Sequence, residues 1–262
     1  MNTLWIKYDF KKEAAKMKAK FPDPANAIHI LAKDTRVITP DGDVAAVLVC
    51  NVIPAFLYLR AYELLKPVNG LVSNRASAMG TSSLPRSVNK YGIVSPQRGV
   101  NTNVLDVSPA TQGILGWDRP GHQTTLTLKH PEMLDGNRAL IELVGNSYAR
   151  ILPEVYAKQL AAVEKVPWKL WRTPFTTVYV AKNLRTAYHR DGNSKGAMTA
   201  ITPLGNFSGG ALVLLRWRIA IPYKPGDLLL FDAEELHGNL PFEGERISAA
   251  FYCSRLIADF GK

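Results

Sequence analysis

Three side chains in the C-terminal part of the chain have the types and spacing of a metal site. His189 and Asp191 stand two positions apart, and a second histidine, His237, follows further along. Two imidazoles and one carboxylate form the facial ligand set that proteins use for non-haem Fe(II), which leaves coordination positions open for substrate and O2. The three residues therefore predict an Fe(II) centre that can carry out oxidation.

Arg246, nine residues after His237, offers a different chemistry. A guanidinium can bind a carboxylate through two parallel hydrogen bonds, so Arg246 could hold the carboxylate of an organic-acid cosubstrate. Side chains alternate along a strand, and Ser248 therefore shares the face of Arg246. Its hydroxyl could give the same carboxylate another hydrogen bond.

The elements that must position these side chains are strands. Residues 175–180 (FTTVYV) precede His189, residues 227–231 (DLLLF) precede His237, and residues 246–252 (RISAAFY) begin with Arg246. Each run has the composition of a strand. Ligands at the ends of adjacent strands have the rigid support that a metal site needs.

Two further side chains are predicted to face this site. Tyr252 shares the strand face of Arg246, so its ring could contact the substrate, or it could be a core aromatic. Arg185 shares the face of His189 if the strand is regular there. It could then hold cosubstrate or phosphate.

Residues 170–256 resemble dioxygenases of the TET/J-binding-protein type. The similar segments follow in order: 175–191 (FTTVYVAKNLRTAYHRD), 205–212 (GNFSGGAL), 225–231 (PGDLLLF), 237–241 (HGNLP) and 245–248 (ERIS). Upstream, residues 73–78 (SNRASA) and 113–119 (GILGWDR) are similar to shorter family segments. The compact layout is more similar to phage or bacterial members than to animal ones.

The resemblance implies the fold and the cofactors. The fold would be mostly β with flanking helices (α+β), built on a double-stranded β-helix core of the jelly-roll, cupin-like kind. The cofactors would be Fe(II), 2-oxoglutarate and O2. The metal would bind His189, Asp191 and His237, and the far carboxylate of 2-oxoglutarate would bind Arg246.

The resemblance also implies a substrate class, the methyl group of a pyrimidine in nucleic acid. We expect this chain to hydroxylate 5-methylcytosine in double-stranded DNA, giving 5-hydroxymethylcytosine, succinate and CO2. Oxidation of the thymine methyl is the close alternative. A base must leave the duplex to reach a metal that is buried in a barrel, and the Tyr252 ring could then stack on it.

The residues that would contact the base lie close to the metal ligands. The family usually carries an asparagine shortly after the metal-binding aspartate, and it contacts the pyrimidine edge. Asn193 is the candidate here, although Ser194 occupies the position where that asparagine more often lies. Both residue types bond base edges well, while the Gly192-Asn193 pair is also turn composition. Arg75, in an upstream family segment, is expected near DNA or cosubstrate.

The excess of basic residues favours a nucleic-acid partner. The net charge is +10 and the pI is about 9.6, and a basic surface attracts phosphate backbones. No stretch approaches the roughly 20 apolar residues of a membrane-spanning helix, and no secretory signal is visible. We therefore expect a cytoplasmic protein of a bacterium or a phage-infected cell, with no membrane contact and no obligate protein partner.

The 262 residues are predicted to form one domain. Residues 1–165 would be an N-terminal support of helices, irregular segments and some strands, and residues 170–256 the metal-binding core. Helices are predicted over residues 9–20, 55–65 and 138–165, the last as two helices broken around 146–147. Strands are predicted over residues 27–31, 44–53 and 123–128.

Two other functions stay open. The same fold also hydroxylates protein side chains and small molecules, and DNA binding that falls steeply with salt would distinguish these. A metal-free DNA-binding module would keep the barrel without its chemistry. The intact set of His189, Asp191, His237 and Arg246 argues against such a module.

Overall fold

The computed structural model describes residues 1–68, 111–192 and 196–260. In these ranges the strands are β1 (Asn2–Trp5), β2 (His29–Ile30), β3 (Thr35–Ile38), β4 (Val44–Val49), β5 (Thr111–Arg119), β6 (His122–Gln123), β7 (Thr177–Lys182), β8 (Thr199–Gly209), β9 (Leu212–Leu214), β10 (Ile219–Ile221), β11 (Leu228–Phe231), β12 (His237–Asn239) and β13 (Phe242–Tyr252). The α-helices are α1 (Lys11–Ala15), α2 (Ala55–Leu65), α3 (Thr125–Lys129), α4 (Pro131–Asp135), α5 (Arg138–Ile151), α6 (Pro153–Ala161) and α7 (Arg255–Phe260). None of the described helices has the length and apolar character needed to cross a bilayer.

The strands form two sheets. Within the described ranges, the larger sheet has the order β1-β3-β4-β11-β8-β13-β7-β5-β6, and the smaller has the order β12-β9-β10-β2. His189 joins the smaller sheet through an antiparallel bridge to His237. From β7 onward the chain passes back and forth between the sheets, with β9 and β10 as consecutive strands of the smaller one, as in a jelly roll. The predicted fold class, mostly β with flanking helices around a double-stranded β-helix, is confirmed.

Strand β13 shows how side-chain alternation divides the core. Ala249 and Phe251 belong to the apolar cluster that includes α2 and α5, whereas Ala250 belongs to the cluster between the two sheets. Arg246 and Ser248 stand in the same alternation as Ala250. Both polar side chains therefore face the space between the sheets, which we call the barrel interior.

The N-terminal part of the chain extends the larger sheet. Strand β4 pairs antiparallel with β11, and β3 and β1 follow it outward. On the other side, β5 pairs with β7. Strands from before residue 165 thus continue the sheet of the metal-binding part, and the single domain over residues 1–262 stays a prediction.

The helix predicted over residues 9–20 is much shorter than expected, because α1 covers only Lys11–Ala15. Ala19 has a φ of 66°, and its N–H donates to the carbonyl of Tyr188 at 2.8 Å. The N–H of Tyr188 donates back to the carbonyl of Lys20 at 2.9 Å. Pairing with the segment before His189 replaces the last helical turns, despite the helix propensity of the alanines and lysines.

The strand predicted over residues 123–128 is wrong, because most of this segment is helix α3. Thr124 caps the helix by accepting from the N–H of Thr127, and its hydroxyl donates to the carbonyl of Ile114 at 2.6 Å. The Thr127 hydroxyl accepts from the N–H of Gly116 at 2.8 Å. The threonines that suggested a strand instead cap a helix and attach it to β5.

The break predicted around residues 146–147 is also wrong. Helix α5 runs unbroken over Arg138–Ile151, and its C-cap residue Leu152 directly precedes Pro153. Proline disfavours helical backbone at the preceding residue, and Leu152 has a φ of −136°. Elsewhere the helix predicted over 55–65 is confirmed as α2, while the strands over 27–31 and 44–53 shorten to β2 and β4.

Candidate metal and cosubstrate site

His189, Asp191 and His237 converge at one end of the barrel interior. One candidate ligand atom from each side chain lies within 4.8 Å of the others, and the described ranges contain no second such group of three His, Cys, Asp or Glu residues. Nε2 of His189 is 3.5 Å from Oδ1 of Asp191, and Nε2 of His237 is 4.0 Å from Oδ2. The sequence placed these residues in one site, and the fold brings them together.

Main-chain hydrogen bonds hold the three residues. The N–H of His189 donates to the carbonyl of His237 at 2.9 Å, and the N–H of His237 donates back at 3.0 Å. The N–H of Asp191 donates to the carbonyl of Ala233 at 2.9 Å. The cluster is therefore positioned by backbone pairing, which does not depend on the three side chains.

A carbonyl orients each imidazole. Nδ1 of His189 is 2.7 Å from the carbonyl oxygen of Ala187, and Nδ1 of His237 is 2.9 Å from that of Glu235. A carbonyl only accepts, so each Nδ1 carries the proton and each Nε2 presents its lone pair toward the Asp191 side. A neutral imidazole held in this way is a good metal ligand, and the set fits an Fe(II) ion.

Arg246 lies fully buried on β13. Its guanidinium donates from Nη1 to the carbonyl of Gly210 at 3.0 Å and from Nη2 to that of Leu184 at 3.1 Å. The Phe242 ring lies 4.2 Å from Cζ. Burial lowers the pKa of Arg246 and nearby Tyr223 acts in the opposite direction, but no acidic side chain of the described ranges pairs with this cation.

Unpartnered donors show what this end of the barrel could bind. Nε of Arg246 and Oγ of Ser248 are both buried without a hydrogen-bond partner among the described residues. Buried polar groups are nearly always bonded in folded proteins, so such a pair indicates a missing acceptor. A carboxylate would satisfy both, and the pair fits the far carboxylate of 2-oxoglutarate.

Two residues that position Arg246 were missed from the sequence. Gly210 has a φ of +72°, and a Cβ there would lie 2.3 Å from Nη1 of Arg246. Asn183 is buried with a φ of 52°, donates its N–H to the Arg246 carbonyl at 2.7 Å and accepts the Arg246 N–H on Oδ1 at 2.9 Å. The pair Gly209-Gly210 lies in the segment 205–212 that resembles the family, but no sequence signal marked Asn183.

Arg185 makes contacts away from the metal cluster. Its guanidinium donates to the carbonyl of Asn239 at 3.2 Å and to that of Pro22 at 2.7 Å, and it lies 4.8 Å from the centre of the Phe21 ring. The strand that would have aligned it with His189 ends at Lys182. These contacts brace the N-terminal segment, and a role of Arg185 in cosubstrate binding stays a prediction.

Tyr252 ends β13, at the opposite end of the strand from Arg246, and pairs with Thr177 of β7. Its side chain is buried. Stacking on a substrate base and packing in the core both stay predictions for this ring. Asn193, Ser194 and Arg75, the other predicted substrate contacts, lie outside the described residues.

Several curated proteins are similar to this chain. Thymine dioxygenase JBP1 of Leishmania major is 28% identical over 222 residues, which are 80% of this chain and 25% of that protein. The bifunctional helicase and thymine dioxygenase JBP2 of Trypanosoma brucei brucei is 39% identical over 102 residues, 38% of this chain and 9% of that protein. The chain thus spans a quarter or less of the length of these relatives.

The fold is similar to that of a solved structure, NgTET1 in complex with 5mC DNA. The two chains align with a TM-score of 0.59 and 14% identity over 98% of this chain and 83% of the other. At this level of identity the likeness concerns the fold alone. It agrees with the double-stranded β-helix described above.

A sequence model of the Tet_JBP family, the oxygenase domain of the 2OGFeDO superfamily, matches residues 120–255. This range is just over half of the chain and contains both the histidine–aspartate cluster and the Arg246 end of the barrel. The resemblance seen in the sequence is confirmed. The chain belongs to the Tet_JBP family of 2-oxoglutarate- and iron-dependent dioxygenases.

Proposed function

We propose that this chain hydroxylates the methyl group of a pyrimidine base in DNA, with Fe(II), 2-oxoglutarate and O2. The observation that carries the proposal is that one barrel of Tet_JBP type holds the cluster of His189, Asp191 and His237 at one end and a buried arginine, Arg246, at the other. This arrangement pairs a metal site with a carboxylate site. A keto acid with two carboxylates, such as 2-oxoglutarate, would use the metal site for its keto acid end and the carboxylate site for its far end.

The chain's own residues would hold and orient the reactants. His189, Asp191 and His237 would bind the metal, and Arg246 with Ser248 would bind the far carboxylate of the cosubstrate. The bound metal and cosubstrate supply the oxidation, in which O2 is consumed, 2-oxoglutarate becomes succinate and CO2, and a methyl C–H becomes C–OH. The apolar cluster between the sheets excludes water from this space.

DNA is the proposed partner, and the charge of the chain supports it. A net charge of +10 favours contact with the phosphate backbone. The two histidines of the metal cluster are buried, so the reacting base would have to leave the duplex. The ring of Tyr252, on the strand that carries Arg246, is the candidate stacking partner for that base.

Two bases are candidates for the substrate. Thymine comes first, because the JBP1 relatives that align with 80% of this chain are named thymine dioxygenases. 5-Methylcytosine, expected from the sequence, is the second. The bases differ in that thymine carries an O4 acceptor and cytosine an N4 donor, so a single side chain such as Asn193 or Ser194 could discriminate between them.

Four duplexes of one sequence would separate these candidates. They contain thymine with cytosine, thymine with 5-methylcytosine, uracil with cytosine, and uracil with 5-methylcytosine. The protein is loaded anaerobically with Fe(II) and 2-oxoglutarate, exposed to air, and the nucleosides are analysed by mass spectrometry. We expect a product heavier by one oxygen atom only where the substrate methyl is present, and none with His189→Ala.

The duplex with uracil and cytosine contains no pyrimidine methyl and is the internal control. Oxidation of thymine alone would exclude 5-methylcytosine, and the reverse result would exclude thymine. Succinate release without an oxidised base on any duplex, together with salt-insensitive DNA binding, would contradict the DNA proposal. It would favour a protein side chain or a small molecule.

A further inference from the structure

Tyr223 carries another buried donor without a partner. The side chain is 5% exposed, and its hydroxyl has no hydrogen-bond partner among the described residues. It shares this property with Nε of Arg246 and Oγ of Ser248. A buried hydroxyl that lacks an acceptor calls for an explanation, and a bound ligand is one.

Strand register places Tyr223 at the Arg246 end of the barrel. Strand β10 pairs with β9 so that Ile221 opposes Leu212, and β9 pairs with β12 so that Leu212 opposes Asn239. The Asn239 amide donates to the Gly210 carbonyl at 3.2 Å, and this carbonyl also accepts from the buried guanidinium. Tyr223, two residues beyond the end of β10, continues toward this end.

Alternation along β10 turns the Tyr223 ring inward. Ile219 and Ile221 belong to the cluster between the sheets, and Tyr223 belongs to the same cluster, whereas Ala220 belongs to a different one. Tyr223 and Gly210 also border a common cavity of about 790 Å³, although the Tyr223 hydroxyl is sealed from solvent. The hydroxyl therefore belongs to the barrel interior.

Not every buried donor without a partner lies at the Arg246 end of the barrel. Nε1 of Trp217 also lacks a partner among the described residues. Trp217 ends the short 3-10 turn that follows β9, however, and Leu214 of β9 pairs with His237. Trp217 therefore lies toward the metal end, and the register separates it from Arg246.

We propose that the Tyr223 hydroxyl is a third donor to the far carboxylate of 2-oxoglutarate, beside Arg246 and Ser248. This inference rests on the proposed function and names a residue that selects the cosubstrate. A carboxylate has about four lone-pair sites, so it can accept from three donors at once. Tyr223 would favour dicarboxylic keto acids over keto acids that lack the second carboxylate.

Tyr223→Phe tests the inference because it removes the hydroxyl and keeps the ring. The protein is loaded with Mn(II), and 2-oxoglutarate and 2-oxopentanoate are titrated by calorimetry without O2. We expect the Kd for 2-oxoglutarate to rise about tenfold, as for the loss of one hydrogen bond to a charged group. The Kd for Mn(II) and for 2-oxopentanoate, which lacks the second carboxylate, should not change.

Tyr148→Phe is the matched control. Its hydroxyl is also buried, but it bonds Gln159 at 2.8 Å on helix α6. We expect this variant to bind 2-oxoglutarate normally and to melt at a lower temperature. Tyr223→Phe should keep or raise the Tm of the protein without cosubstrate, since it removes a hydroxyl that has no partner. If 2-oxopentanoate binds too weakly to measure, the test is the ratio of the Kd values for 2-oxoglutarate of Tyr223→Phe and Tyr148→Phe. We expect this ratio to be about ten, and a ratio near one would overturn the inference.

The outcomes separate this inference from the proposed function. Equal 2-oxoglutarate binding by the wild-type protein and Tyr223→Phe would overturn the inference alone. Equal losses for 2-oxoglutarate and 2-oxopentanoate would also overturn it, because the tyrosine would then act through the shape of the site. Absence of 2-oxoglutarate binding by the wild-type protein would overturn both.

Discussion

The two ends of the barrel hold their functional side chains in opposite ways. At the metal end, His189 and His237 each place Nδ1 against a carbonyl two residues away, and main-chain bonds lock the two backbones together. At the other end, Arg246 lies on carbonyls from two distant segments, and buried donors of Arg246, Ser248 and Tyr223 lack partners. Each imidazole is thus oriented by its own segment, whereas the Arg246 guanidinium is oriented only by segments far from it in the sequence.

This difference assigns different energetic roles to the two ends. An unsatisfied buried polar group costs about 1–3 kcal/mol, and a ligand that accepts its hydrogen bond recovers that free energy. Selective affinity for the cosubstrate should therefore reside at the Arg246 end. The metal end should determine the chemistry. A change at one end should leave the function of the other end intact.

The largest effect is expected from His189→Ala. Loss of one ligand of three should weaken Fe(II) or Mn(II) binding at least about 100-fold and abolish hydroxylation, since loss of a residue that only orients a metal ligand already costs about 10–100-fold. The fold should persist because the bridge to His237 is made by backbone atoms. Metal titration and a thermal melt check both statements. His130→Ala, a histidine outside the cluster, is the control, and equal metal binding by the two variants would contradict the assignment.

Arg246→Met should produce the reverse pattern. The guanidinium is the buried cation of the proposed carboxylate site, so its loss should raise the Kd for 2-oxoglutarate about 100-fold or more while metal affinity stays within a few-fold. Calorimetry with Mn(II)-loaded protein measures both constants. Arg138→Met, on the exposed ion pair with Glu142, is the control. A comparable loss of metal binding in Arg246→Met would show that the two ends are not separate.

Gly210→Ala should disturb the cosubstrate end while keeping its charge. The new Cβ would lie 2.3 Å from Nη1 of Arg246 and would force the guanidinium to move. We expect roughly tenfold weaker 2-oxoglutarate binding and a loss of about 1–3 kcal/mol in the free energy of unfolding. Gly196→Ala is a close control, because Gly196 has the same φ of +72° with nothing within 4 Å. Equal effects of the two substitutions, measured by urea unfolding and calorimetry, would exclude the contact as the cause.

The smallest effect is expected at Asn183, which positions the Arg246 backbone. Asn183→Gly keeps the φ of 52° accessible and removes the acceptor of the Arg246 N–H. We expect a loss of about 1 kcal/mol in the free energy of unfolding and a few-fold rise in the Kd for 2-oxoglutarate. Asn183→Ala should be less stable than Asn183→Gly, since alanine also disfavours this backbone conformation. The reverse order in urea unfolding would contradict this role.

The two ends of the barrel also differ in how much of each could be predicted from the sequence. His189-x-Asp191 is a local pattern, and alternation along a single strand aligned Ser248 with Arg246. The contact of Gly210 with Arg246 and the burial of the Tyr223 hydroxyl could not be recognised, since each depends on strand register between segments far apart in sequence. Arg185 shows the same limit, because the strand before His189 becomes irregular at Asn183, where φ is positive.

The errors in the fold have a related cause. Residues 9–20 have helical composition, but their backbone pairs with the segment before His189 instead. The segment from Thr124 to Thr127 alternates like a strand, but the threonine hydroxyls bond β5 and begin a helix. In both places tertiary hydrogen bonds, which composition does not encode, outweighed local propensity.

By itself, the sequence determined the class of this protein. The class could be read from features that are local in the sequence. These are the order of the strand-like runs, the types of the metal-site residues, and the arginine nine positions after His237. Only the tertiary structure decided which polar atoms are buried without partners, and therefore where a bound carboxylate would gain the most hydrogen-bond free energy. That outcome depends on the register between two sheets, because burial and satisfaction of a polar atom are properties of all its neighbours together.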